Sequence, residues 1–108
     1  MQEIEIDGKQ VTVERIQELF RIYGIPQYMA NGVYNYLNLG LPPGHFLSAV
    51  ICNDLREAVE RADSSNELRL AAWVKFFYNY CPSNSWGSKE IMIKWMNERR
   101  TICRLATR

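Results

Sequence analysis

The stretch SSNELRLAAWVKFFYNY, residues 64–80, decides how the rest of the chain is read. Ser64 followed by Glu67 is a capping box, in which a hydroxyl and a carboxylate each satisfy a backbone amide at a helix start. Behind it Leu68, Leu70, Ala71, Ala72, Trp73, Val74, Phe76, Phe77 and Tyr78 make the helix apolar almost all round, and Arg69, Lys75 and Asn79 leave a narrow wet strip. A helix with so little polar surface belongs inside a core. The expectation is a central buried helix, with the other elements packed around it.

Downstream, Cys81-Pro82-Ser83-Asn84-Ser85-Trp86-Gly87 reads as a loop, and Ser88 caps a last helix that turns Ile91, Met92, Trp95, Met96, Ile102 and Cys103 inward. Residues 105–108 are expected to fray. Upstream, a long third helix runs from about His45 to Ala62, preceded by the stiff turn Gly40-Leu41-Pro42-Pro43-Gly44. Before that turn, Pro26 opens a helix burying Met29, Val33, Tyr34 and Leu37, and Gly40 stops it. Thr12 caps a first helix carrying Val13, Ile16, Leu19, Phe20 and Tyr23 on one side, ending near Gly24. At the front, Gln2–Ile6 alternates, Asp7-Gly8 is a turn signal and Lys9–Val11 returns. The expected fold is therefore mainly α: one domain, a bundle of about five helices over 13–104, with a short N-terminal β-hairpin over 1–12.

Composition sets the class. Hydrophobic residues at 47% and charged residues at 23% suit a globular chain, and a formal net charge of +1 disfavours holding duplex nucleic acid by bulk electrostatics. The charge is uneven, with Lys89, Lys94, Arg99, Arg100, Arg104 and Arg108 against Glu90 and Glu98 in the last stretch, and Glu3, Glu5 and Asp7 near the front. No apolar run approaches the roughly 20 residues of a membrane span. The scattered cysteines Cys52, Cys81 and Cys103, with no leader-like start, imply free thiols and a cytoplasmic setting.

Catalytic equipment is sought and not found. His45 is the single histidine, and Cys52 lies seven residues on, roughly 10 Å along a shared helix and beyond reach of a dyad. The cysteines lack zinc spacing, so neither metal nor cofactor is expected. Glu57 with Arg61 and Arg56 with Glu60 are helix-surface pairs four apart. The chain reads as a non-catalytic binding protein.

Two charges break the pattern. On the third helix, projected at about 100° per residue, Asp54 falls in the middle of the inward arc of Phe46, Leu47, Val50, Ile51, Leu55, Ala58, Val59 and Ala62. Arg99 falls inside the arc of Trp95, Ile102 and Cys103. Both are expected to be structural buried polar groups, because a buried charge needs a partner. For Asp54 that partner is Arg99, or the indole of Trp73 or Trp95, or amides of the Trp86–Ser88 loop. Asp54→Ala is then severe, while Asp63→Ala does little.

A ligand-binding set is assembled from a helix start at Gly44 and His45, the polar Asn53 and Arg56, and rings at loop ends, Tyr80 and Trp86. Stacking rings, a positive helix end and an arginine suit a nucleotide. The opposite use is a protein-binding face along His45, Ala49, Cys52 and Arg56, or along the basic last helix. The free hairpin edges and an outward Ile93 point to a homo-oligomer.

The stretches YGIPQYM (23–29), GLPPGHFLSAVICNDLREAVERAD (40–63), FFYNYCPS (76–83) and WGS (86–88) together resemble a group of small phage and prophage proteins, over Tyr23 to Trp95. The resemblance implies a phage product made in a bacterial host cell. It further implies one that counters a defence system, by sequestering a nucleotide signal or by blocking a host protein. The alternative is a phage regulatory or nucleic-acid-associated protein using the basic C-terminal helix.

Overall fold

Several of the described helices begin at a side-chain cap or end at a left-handed residue. The computed structural model describes residues 5, 6 and 9–106, with side chains from 11 to 105. Helix α1, Val13–Tyr23, starts where Thr12 Oγ1 accepts from the Arg15 amide at 3.0 Å and stops at Gly24, which is left-handed. Its period of 3.6 places Ile16, Leu19 and Phe20 inward, all fully buried.

The segment expected as one second helix is three pieces: a 3-10 turn Gln27–Met29, helix α2 Ala30–Tyr34, and a π-helical turn Asn35–Leu39 ending at left-handed Gly40. The π-turn brings Tyr36, Leu37 and Asn38 into the interior, while Met29 and Tyr34 stay half-buried. The Tyr36 hydroxyl donates to the Ser85 carbonyl at 2.6 Å, and burial pushes its pKa upward.

The long third helix does not exist as one piece. Helix α3, His45–Ile51, ends at Asn53, whose φ of 61° is left-handed. The Asp54 amide reaches back to the Ala49 carbonyl (2.8 Å) and the Asn53 amide to the Val50 carbonyl (3.1 Å), the paired bonds of a Schellman stop. Asp54 then caps helix α4, Leu55–Arg61, its Oδ1 accepting from the Glu57 amide at 3.2 Å. Asp54 is exposed, so its expected burial, and its pairing with Arg99, are wrong. The apolar arc assumes one continuous helical phase, and left-handed Asn53 resets it. The expected severity of Asp54→Ala falls with it. Loss of a cap alone should cost about 1 kcal/mol, readable as a small drop in denaturant midpoint at unchanged slope.

A single turn α5, Ser64–Glu67, is capped by Asp63 rather than Ser64; Asp63 Oδ1 accepts from the Asn66 amide at 2.8 Å. Helix α6, Leu70–Tyr80, then lays Trp73, Phe76 and Phe77 against the core. Phe20 meets Trp73 and Phe76 edge-on at 5.3 and 5.1 Å, and Phe46 meets Trp73 at 5.8 Å. After a 3-10 turn at Ser83–Ser85, Ser88 Oγ accepts from the Ile91 amide at 3.2 Å and opens helix α7, Lys89–Ala106. Residues 107–108 lie outside the described residues.

The fold class is corrected on two counts. There are seven α-helices among the described residues, not about five. The architecture is helical, and of the hairpin expected over 1–12 the described residues hold only two strands of two residues each. Glu5 faces Gln10 and Ile6 faces Lys9, a ladder of two pairs, while residues 1–4, 7 and 8 lie outside the described residues. Two strands of two residues each do not make an independently stable sheet, so the fold is carried by its helices.

Arg99 is buried, for a reason that lies in the Gly40–Gly44 turn. The carbonyl of Asn38 would ordinarily bond the amide four or five residues on, and those residues are Pro42 and Pro43, which have none. Helix α7 supplies the donors instead: Arg99 Nε at 3.1 Å and the Cys103 thiol at 3.5 Å. The guanidinium also lies over the Trp95 ring, 5.9 Å from its centroid.

Candidate functional site

Helix α6 has two apolar faces, and one of them is uncovered. At about 100° per residue, Trp73, Phe76, Phe77 and Tyr80 share one side, and the first three of these are completely buried. Ala71, Val74, Lys75 and Tyr78 fall within a narrow arc on the other side, and all four are exposed. Val74 keeps 48% of its surface in solvent and Tyr78 77%. The expectation of a central buried helix is therefore corrected. The aromatic face packs into the core and the second face is left in solvent.

The corner between α3 and α4 builds a groove beside that face. Its volume is about 180 Å³. Buried Ala49, Val50 and Ala58 form its floor, and exposed Leu55, Ala71 and Val74 form its rim. Leu55 is 71% exposed although it opens α4, because the Asn53 turn swings it off the core arc. The polar side chains that line the groove are Asn53 and Asp54.

The ligand set read from the sequence is not brought together. Gly44 and His45 start α3, both exposed, and His45 shares a second concavity with Ser48, Cys52, Asp54, Glu57 and Lys89. Asn53 lines the first groove instead. Arg56 points into solvent and pairs with Glu60 Oε1 at 3.3 Å. Tyr80 is half-buried against Tyr23 and Phe76, at 6.1 and 6.3 Å, and Trp86 is half-buried against Phe77 at 5.7 Å. The two rings are core-edge packing, so the arginine and the rings do not face one space. Among the basic residues of α7, Arg100 and Arg104 are exposed, but Arg99 is turned inward.

Burial works against activation of the Cys52 and Cys81 thiols. All three cysteines are free, and burial raises the pKa of both Cys52 and Cys81. The Cys52 thiol lies 3.3 Å from the Met92 sulfur. Among the described residues no group of three His, Cys, Asp or Glu side chains is placed to hold a metal ion. No described helix is long and apolar enough to cross a membrane.

A polar chain runs from the core to the surface near the start of α6. The Trp73 indole donates to Asn66 Oδ1 at 2.9 Å, Asn66 Nδ2 donates to the Tyr28 hydroxyl at 3.4 Å, and that hydroxyl donates to Asp63 Oδ2. The buried acceptor for an indole sought in Asp54 is thus Asn66. Asp63, expected to be dispensable, fastens α5 to the 3-10 turn at Tyr28. The hydrogen bond from Tyr28 lowers the Asp63 pKa, and the same contact raises that of Tyr28. A carboxylate with a lowered folded pKa contributes above its ordinary value of about 4 and loses that contribution as pH falls through the lowered value. A phenol with a raised pKa contributes below about 10 and loses it as pH rises further. The clasp is at full strength between those limits. Tyr28→Phe should return the Asp63 titration, followed by carboxyl NMR, toward the ordinary aspartate range; an unmoved titration would contradict the contact.

No protein-family model, no curated protein and no solved structure matches the chain.

Proposed function

We propose that this chain acts by binding a macromolecule through the outer face of α6 and the adjoining groove, without catalysing a reaction. The observation that carries this reading is exposed Leu55 and Val74 on the rim of a groove with an apolar floor, with exposed Tyr78 one turn along α6 from Val74. Solvent-facing apolar side chains scattered singly need no explanation, but a contiguous patch beside a concavity is the mark of a contact surface. A nucleotide suits the groove poorly, since its polar lining offers Asp54 and Asn53 and no cation. In the phage setting that the sequence resemblance implies, this favours contact with a protein surface over sequestering a nucleotide signal.

A photo-crosslinking residue placed at Tyr78 tests the reading in cells expressing the chain. A second placed at Ile22 is the control, because Ile22 is 69% exposed on the side of α1 turned away from α6. A discrete adduct at position 78 and none at 22 is the expected result. Equal, diffuse labelling at both positions would contradict it.

A further inference from the structure

We infer that the outer face of α6 is occupied by a second copy of this chain, in a two-fold dimer. This rests on the reading of that face as the binding surface and names its occupant. Three features make the face complementary to itself. The first is shape: the same patch holds a groove of about 180 Å³ and, one turn along α6 from Val74, the projecting Tyr78. Across a two-fold axis residue i meets j and j meets i, so one projection and one groove per copy are matched twice.

The second feature is charge. Lys75 lies inside the exposed arc of α6, and Asp54 lines the groove and is exposed. Neither takes part in an ion pair among the described residues, whereas Arg56, Arg61, Glu57 and Glu60 on neighbouring α4 are already paired with one another. An asymmetric partner would have to bring both an anion and a cation. A second copy brings both in the same geometry, Lys75 of each against Asp54 of the other.

The third is area. The exposed parts of Leu55, Val74 and Tyr78, with Ala71, Lys75, Asn53 and Asp54 around them, amount to roughly 600 Å² per copy, the lower range of stable interfaces. The groove floor is built largely of alanine, which lets the facing helix approach closely.

Sedimentation equilibrium of the full chain over micromolar concentrations is the test. The expected result is a mass of twice 12.7 kDa. Val74→Asp, an exposed position, should weaken association about tenfold or more with an unchanged melting curve of the monomer. Lys75→Asp should weaken it too, and Lys75→Asp combined with Asp54→Lys should restore it. A 12.7 kDa species at every concentration overturns the inference; an adduct of another protein at Tyr78 would then leave the binding face standing with a different occupant. A dimer indifferent to Val74→Asp also overturns it, because the contact would lie elsewhere.

Discussion

Gly40→Ala should destabilise the fold by about 3 kcal/mol or more, from two causes that add. Gly40 has φ 69°, a conformation that costs an L-residue about 1–2 kcal/mol. A methyl group there would also stand 2.4 Å from the Met96 carbonyl oxygen and 3.1 Å from the Arg100 amide nitrogen. Both are backbone atoms of α7, which cannot rotate aside as a side chain would. The π-turn and α7 must separate, and Arg99 loses its grip on the Asn38 carbonyl as they do. Chemical denaturation of the variant would show a large fall in midpoint; a change under about 1 kcal/mol would mean that α7 does not lie against this turn.

Trp73→Ala should cost about 3–5 kcal/mol. The ring is fully buried and contacts Phe20, Phe46, Phe76 and Phe77. Its removal leaves a large cavity and also strands Asn66 Oδ1, which is buried with the indole as its donor. Trp73→Phe separates these effects, restoring most of the volume without the N–H. It should fall between the wild type and the alanine variant in thermal unfolding. Equal loss in both variants would place the whole effect in the hydrogen bond.

Much of the helical core could be read from sequence because its signals are local. Thr12 and Gly24 bound α1, Gly40 ends the π-turn, and Ser88 caps α7, each through one side chain or one left-handed residue. The breaks were harder. Asn53-Asp54 is a legible stop and start, since asparagine tolerates the left-handed conformation and aspartate is a good cap, but the apolar spacing across 45–62 hides it. Once the phase resets there, Asp54 and Leu55 go to solvent. At the next start Ser64 and Asp63 are both good caps, and spacing alone does not choose Asp63, the one that serves.

The candidate surface was missed for a different reason. Ala71, Val74 and Tyr78 were assigned to the core because hydrophobicity does not say which of two apolar faces meets another element. The split was present in the spacing: Trp73, Phe76, Phe77 and Tyr80 form one stripe and Ala71, Val74, Lys75 and Tyr78 the other, with the large aromatics concentrated in the first. Loop-end position does not say whether a ring is free, and Tyr80 and Trp86 pack on Tyr23, Phe76 and Phe77.

Hydroxyl-radical footprinting, comparing cells that express the chain with dilute purified protein, tests the uncovered face of α6 most directly. Tyr78 and Ile22 are 77% and 69% exposed in the isolated chain, on α6's outer face and on the far side of α1. If the face is a working contact surface, oxidation of Tyr78 in cells should fall several-fold relative to the dilute protein, while Ile22 keeps its rate. Undiminished oxidation of Tyr78 would contradict the account, since the face would then be bare where the protein works.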